Sequence, residues 1–285
     1  MNVKIRQIFL RMLPDRIYLP LLYKKQIGNK LNLKSPATFN EKLQWLKLYD
    51  RKPEYTIMVD KYAVKKYVAN IIGKEYIIPT LGVWDNPDEI CFDTLPHQFV
   101  LKCTHNSGLG MYICRNKSKI DEKAIKDELR KGLAQNYYLT AREWPYKNVH
   151  RRIIAEKYME DSGTTELNDY KFMCFNGNVR CTFVCSDRSE NLKVTFYDKQ
   201  WKRMPFERHY PASKVDIPKP KNYDKMVELA EILSKDIPFV RVDFYEINGH
   251  IYFGELTFYP GAGLEEFTPS KWDKILGDWI VLPKK

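Results

Sequence analysis

Three charged side chains near the C-terminal end of this chain stand where a β-hairpin would ordinarily be apolar: Arg241, Asp243 and Glu255. Two apolar runs, 239–247 and 250–258, flank Asn248-Gly249, a dipeptide that favours a tight hairpin turn. Side chains alternate faces along a strand, so Arg241 and Asp243 share one face. The face of Glu255 depends on the turn. A two-residue loop would pair Ile247 with His250 and set Glu255 opposite Val242, away from the other two. A three-residue loop, with Gly249 in the left-handed conformation, would pair Asp243 with Phe253 and Arg241 with Glu255. A shared site requires the second register, and that register is the expectation. Two carboxylates on one face repel unless a cation separates them, and a hard ion such as Mg²⁺ is held by one or two carboxylates plus substrate phosphates. A cross-strand Arg241–Glu255 pair beside a solvated Asp243 is the structural alternative.

A second group of residues suits phosphate. Phe99–Cys103 (FVLKC) reads as a buried strand interrupted by Lys102, whose charge must meet an anion. It runs into Asn106-Ser107-Gly108-Leu109-Gly110, a small loop able to present backbone N–H groups. No GK[ST] follows, and the loop opens a strand rather than a helix, so it is not a Walker A loop. In the strand over 167–175, Asp169 and Lys171 fall on one face by parity. His105, alone beside the loop, reads as a structural histidine.

These residues need a substantial scaffold. The 285 residues, 44% hydrophobic and 14% aromatic, describe a globular chain with a real core. A net charge of +11 favours an anionic partner, yet no basic cluster, zinc-finger or RNP-like pattern points to nucleic acid. Six cysteines with no CxxC spacing read as buried thiols in a reducing compartment. Residues 1–34 form a basic extension whose apolar runs are too short for a signal peptide or a membrane span. Residues 1–30 either rest on an anionic bilayer or pack back on the body. Thr38-Phe39-Asn40-Glu41 is a capping box that starts a helix ending near Asp50. A second helix is expected over 55–72, stopping at Gly73, followed by a loop with Trp84. A charged helix over 121–135, an aromatic connector (YYLTAREWPYKN), a strand at 153–155 and a hairpin about Asn176-Gly177 follow. Then come a helix over 223–234, the hairpin 239–258 and a helix near 270–276. The order argues for an α+β fold with antiparallel sheets.

The succession of Asp60-Lys61, Ile78-Pro79, Lys102, glycine loop, Glu156, Asp243, Glu255 and Pro260-Gly261 resembles the ATP-grasp superfamily. EKYM at 156–159 and RVDF…GELTFYPG at 241–261 look like the D-alanine–D-alanine ligase branch. TFNEKLQWLKLYD, DKYAVKKYV, FVLKCTH, REWPYKN, DYKF and GELTFYPG are similar to the TupA-like (teichuronopeptide-biosynthesis) family of bacterial polysaccharide loci, whose members are often labelled glycosyltransferases. The resemblance spans about residues 30–282. It implies two α+β lobes with antiparallel sheets sandwiching ATP: a helical region over 35–96, a small lobe with the glycine loop over 97–155, and a large lobe with the metal site over 156–285. Lys102 would hold α/β-phosphate oxygens, with Asn106, Ser107 and Gly108 closing over them. Backbone at Lys157, Tyr158 and Met159 would read adenine, and Glu156 or Asp169 the ribose. Lys171 would touch phosphate, Arg241 would stabilise the transferring phosphoryl group, and Asp243 and Glu255 would ligate Mg²⁺. Thr257 stands where ATP-grasp enzymes usually carry Asn. The implied reaction joins a uronic acid of an anionic cell-surface glycan precursor to an amino acid or other amine through an acylphosphate. The implied place is the cytoplasm or the inner membrane face. A DxD pair, which would favour a glycosyltransferase, is absent from the sequence.

Overall fold

The computed structural model describes residues 12–162, 167–187 and 191–284. Helix α1 (Asp15–Ile27) buries Leu19 and Tyr23 against the body. Asp15 accepts hydrogen bonds there from Arg51 Nη2 and the Tyr138 hydroxyl, both at 2.6 Å. The described part of the N-terminal segment therefore packs back on the protein, whereas residues 1–11, also assigned to membrane contact, lie outside the described residues. No helix among the described residues is long and apolar enough to cross a membrane.

The capping box forms as expected. Thr38 Oγ1 accepts from Glu41 N, and Glu41 Oε2 accepts from Thr38 N, both at 3.2 Å, opening α2 (Phe39–Tyr49). The single helix expected over 55–72 is instead two, α3 (Glu54–Val59) and α4 (Ala63–Ile72). Asp60 causes the break. Its Oδ1 accepts from the Tyr62 and Ala63 N–H groups, offering the backbone an alternative to the helical ladder. Its Oδ2 accepts from Arg152 Nη2 at 2.8 Å, which pins the start of α4 to the chain entering a strand.

That strand belongs to a four-stranded antiparallel sheet built from β1 (Thr80–Trp84), β2 (Phe99–Cys103), β3 (Met111–Cys114) and β4 (Ile153–Lys157), in the order β1-β4-β2-β3. Thr80–Trp84 was expected as loop; it is an edge strand because its backbone pairs with β4. Helix α5 (Glu122–Ala134) covers this sheet and packs Ile125 and Leu129 against Phe99, Leu101, Ile153 and Ala155. The short α6 (Tyr138–Ala141) follows.

A five-stranded antiparallel sheet carries the rest. It comprises β5 (Asp169–Phe175), β6 (Asn178–Ser186), β7 (Lys193–Asp198), β9 (Phe239–Ile247) and β10 (His250–Thr257), in the order β10-β9-β5-β6-β7. Strands β8 (Glu207–Arg208) and β11 (Phe267–Thr268) form a separate pair. Helix α7 (Tyr223–Leu233) turns Met226, Val227, Leu229, Ala230 and Leu233 inward, and its Tyr223 stacks on Phe172 at 5.6 Å. Phe239 meets Phe39 and Phe175 edge-on at 4.9 and 5.0 Å, tying α2 to the sheet. Complete burial of each such ring contributes about 1.5–3 kcal/mol. Helix α8 (Lys271–Asp278) closes on α2 through Gly277. The described cysteines are all free thiols; four are buried as expected, whereas Cys91 is exposed and Cys185 half-buried.

The glycine loop is rooted in α5. Gly110 sits at φ +68°, and a Cβ there would lie 2.6 Å from Cys103 Sγ and 2.9 Å from Gly132 Cα. At Gly108, φ +84°, a Cβ would meet open space. Gly110→Ala should therefore lose about 2–3 kcal/mol in urea unfolding, from strain and overpacking together. Gly108→Ala should lose only about 1 kcal/mol, from backbone strain alone. Equal losses would contradict the seating of the loop on the helix.

Candidate active site

The hairpin brings its three charges to one face, but by a different device from the one expected. Asn248 (φ 50°) and Gly249 (φ 76°) form a two-residue turn, so Ile247 pairs with His250 and Phe244 with Phe253. Regular pairing from there would turn Glu255 to the core face. A β-bulge intervenes: between Phe253 and Leu256 the register shifts by one, and Leu256 pairs with Val242, Thr257 with Arg241. Gly254 and Glu255 together oppose Asp243, so Glu255 returns to the side of Arg241 and Asp243. Gly254 suits this crowded point, because a Cβ would lie 3.1 Å from Tyr245 Cε2 and 3.2 Å from the Asp243 carbonyl oxygen.

Arg241 grips Asp243 as a fork, Nε to Oδ1 and Nη2 to Oδ2, each at 2.7 Å. The same Nη2 donates to Glu255 Oε1, which also accepts from Thr257 Oγ1 at 3.2 Å. Lys171 Nζ lies 2.6 Å from Asp243 Oδ2 and 2.5 Å from Asp169 Oδ2. Asp243 is 2% exposed, and burial pushes its carboxyl above the ordinary value against the pull of Arg241 and Lys171. Burial would also raise Glu255, whose side chain keeps 44% exposure, but Arg241, Lys171 and Lys61 outweigh it and hold the group down at about 2. Burial alone would lower Lys171; Asp243 and Asp169 reverse the direction, although Arg241 opposes them.

The four-stranded sheet and α4 supply the opposite wall. Glu156 lies between Lys65 Nζ at 2.5 Å and Lys102 Nζ at 2.6 Å. Burial would raise its carboxyl, yet the two ammonium groups hold it at about 2. Lys61 Nζ donates to the carbonyl oxygen of Asn106, at the root of the glycine loop, and burial pushes this lysine down while Glu255 draws it up.

A cleft of about 340 Å³ separates the walls, and Lys102, Ser107, Gly108, Glu156, Asp169, Lys171, Asp243 and Glu255 all line it. Arg241 stands behind the two carboxylates. Asn106 is not in this lining: its amide donates to Gly132 O at 3.2 Å and Gln135 Oε1 at 3.1 Å, so it anchors the loop. His105 makes a parallel contact with Gln135 O. Lys157, Tyr158 and Met159 also lie outside the lining. The Lys157 N–H is spent on Pro79 O, and the Tyr158 hydroxyl accepts from Arg115 Nε. Lys61 and Lys65 line the cleft without having been assigned roles from sequence. Their place in DKYAVK was the available signal: Lys61 stands in the turn before α4 and Lys65 in its first turn.

Among the described residues no cluster of three or more His, Cys, Asp or Glu side chains forms a self-sufficient metal site. Two hard oxygen donors bridged by one arginine fit an ion whose remaining ligands come from phosphate. The lysines opposite fit those phosphates.

The family model described as TupA-like ATPgrasp matches residues 41–281. A comparison with curated proteins finds no match. Solved structures of similar fold include D-alanine–D-alanine ligase from Bacillus anthracis with ATP, at 14% identity and TM-score 0.44 over 79% of this chain and 63% of that one. D-alanyl-alanine synthetase A from Vibrio cholerae matches at 10% and 0.44, over 84% and 62%. The ATP-grasp ligase PsnB, with a precursor variant, Mg and ADP, matches at 9% and 0.41, over 76% and 57%. The chain thus spans less than two thirds of the length of each of these three structures.

The Glu156 clamp has a pH signature. Its folded-state pKa lies below the unfolded value, so the stabilisation is complete above about pH 5 and fades as pH falls towards 2. Wild type should exceed Glu156→Gln by on the order of 3 kcal/mol near neutrality, and the gap should shrink below pH 4.5. A gap independent of pH in urea unfolding would contradict the clamp.

Proposed function

Because the chain belongs to the TupA-like ATP-grasp family, we propose that it is an ATP- and Mg²⁺-dependent ligase that joins a carboxylate to an amine. The observation that carries this reading is the cleft itself, where lysines from one wall face an arginine bridging two carboxylates on the other. Asp243 and Glu255 would hold Mg²⁺, which when bound neutralises charge on phosphate oxygens. Lys102 and Lys61 would bind phosphate, and Ser107 and Gly108 would close over it. Arg241 is held by Asp243 with its guanidinium fixed in place, as stabilisation of an in-line transfer requires. The substrate carboxylate oxygen attacks the γ-phosphorus and ADP leaves. The amine nitrogen then attacks the acyl carbon, phosphate leaves, and the nitrogen gives up a proton as the amide forms. The +11 charge suits an anionic substrate, and the family resemblance supports a uronic acid of a cell-surface polysaccharide precursor, with an amino acid or amine as partner.

The test combines nucleotide binding with turnover. ATP–Mg²⁺ at a hundred times its Kd should stabilise the protein by about 2.7 kcal/mol in thermal melting. A UDP-sugar should leave the melt unchanged; the reverse pattern would favour a glycosyltransferase. Lys102→Met should fold but bind ATP at least about tenfold more weakly, an interaction loss of about 1.4 kcal/mol or more. Glu255→Gln and Asp243→Asn should fold, keep part of the nucleotide affinity and lose ADP release by about two orders of magnitude or more. Near-normal turnover in Glu255→Gln, with at most about 1 kcal/mol lost, would reduce Arg241–Glu255 to a structural pair.

Within the same reading the protein works on the cytoplasmic side, and residues 1–30 meet the membrane while Leu19 and Tyr23 of α1 stay packed on the body. Full-length protein should then co-sediment with anionic liposomes at low salt, and a chain lacking those residues should not. No sedimentation of the full-length protein would dismiss the contact.

A further inference from the structure

Helix α4 is a wall with a cavity on each side. Val64 and Lys65 line the phosphate cleft. Ala63, Lys66, Tyr67 and Asn70, spaced i, i+3, i+4 and i+7, share another face of the helix and line a second cavity of about 580 Å³. Lys65 and Ile77 border both cavities, so the two meet at one rim. Phosphate transfer gives this groove no task, yet its size falls in the range of roughly 300–1,000 Å³ that small-ligand sites occupy.

Its lining carries charge of one sign. Lys65, Lys66 and Arg152 contribute to it, and among the described residues no Asp or Glu does. Lys65 is committed to Glu156 at 2.5 Å. Lys66 is exposed and has no ion-pair partner among the described residues. Arg152 is only partly used. Asp60 takes its Nη2 at 2.8 Å, whereas Nε is buried without a hydrogen-bond partner, and 22% of the side chain stays exposed. The guanidinium lies over the Tyr62 ring at 4.8 Å. Tyr62 is 39% exposed, and the half-buried Tyr67 also lines the groove.

Aromatic rings beside unspent cations suit a ligand with an apolar C–H face and an anionic edge. A pyranose that bears a carboxylate has both. A lipid headgroup offers the charge without the flat apolar ring. We propose that this groove is a second saccharide subsite, holding an anionic sugar unit next to the one that reacts in the cleft. The carboxylate of that sugar meets Lys66 and Arg152, its ring lies against Tyr62 and Tyr67, and the Asn70 amide serves its hydroxyls. The shared rim at Lys65 and Ile77 lets one glycan reach both cavities. The assignment rests on the ligase reading and adds to it that the substrate is an oligosaccharide rather than a single sugar.

The probe is trigalacturonate, titrated calorimetrically into the full chain, with the neutral trisaccharide maltotriose as control. Wild type should bind trigalacturonate and ignore maltotriose. Lys66→Glu, at an exposed position, should fold, keep the ATP–Mg²⁺ melting shift and bind trigalacturonate at least tenfold more weakly. Lys66→Arg should restore binding, and Tyr62→Ala should weaken it severalfold. In the ADP-release assay, Lys66→Glu should raise the KM for trigalacturonate and leave KM and kcat for monomeric galacturonate as in wild type. Equal binding of the two trisaccharides, or undiminished binding by Lys66→Glu, would overturn the subsite. Loss of anionic-liposome sedimentation in Lys66→Glu, with trigalacturonate binding unchanged, would reassign the groove to a membrane surface. Trigalacturonate binding that depends on Lys66, without ADP release from any uronic acid and amine, would keep the subsite and remove the ligase reading. ADP release from galacturonate with no trigalacturonate binding in the groove would do the reverse.

Discussion

Two carboxylates on one strand face need a cation between them, and in this protein Arg241 is that cation. Its fork on Asp243 and its further bond to Glu255 turn a repulsive pair into a pre-arranged one. The arrangement is almost wholly removed from water at Asp243, where an unpaired charge would cost several kcal/mol. Lys171, held in turn by Asp169, completes the balance. The same charges that stabilise this cluster would be redistributed when a nucleotide and its metal ion enter, since Mg²⁺ and arginine compete for the same oxygens. Stability and readiness for chemistry therefore draw on one set of contacts.

The rest of the fold brings a second set of cations to face the first. Asp60 ends one helix, caps the turn into the next and holds Arg152, so that Lys61, in that turn, and Lys65, in the first turn of α4, both reach the cleft. Lys61 in turn touches the root of the glycine loop, and the close approach of Gly110 to Gly132 fixes that root on α5. The tip at Ser107 and Gly108 stays free of such packing, which is what a loop closing on phosphate requires.

The sequence revealed which charges gather at the hairpin more reliably than the geometry that gathers them. Arg241, Asp243 and Glu255 were legible as a shared face because their types were wrong for a core. The device that gathers them was not: a bulge at Gly254-Glu255 has the same effect on parity as a longer turn, and alternation alone does not separate the two. Lys102 followed from its charge inside an apolar strand, Asp169 and Lys171 from strand parity, and all three reach the cleft. Lys61 and Lys65 stood within quoted family motifs but received no role, because the helix was read as continuous from 55, which hid the local break at Asp60. Asn106 was assigned to ligand from its place in a small polar loop, whereas its side chain closes hydrogen bonds to α5. Thr80–Trp84 was invisible as a strand because its pairing partner lies some seventy residues away in the chain and its own pattern is short.

Central to this account is a metal ion shared between phosphate and the Asp243–Glu255 pair. Anomalous diffraction from crystals grown with Mn²⁺ and a non-hydrolysable ATP analogue measures that directly. The expected result is a manganese peak within ligand distance of both carboxylates and of phosphate oxygens, with phosphates reached by Lys102. Nucleotide bound in the cleft with manganese elsewhere, and both carboxylates still closed on Arg241, would contradict it.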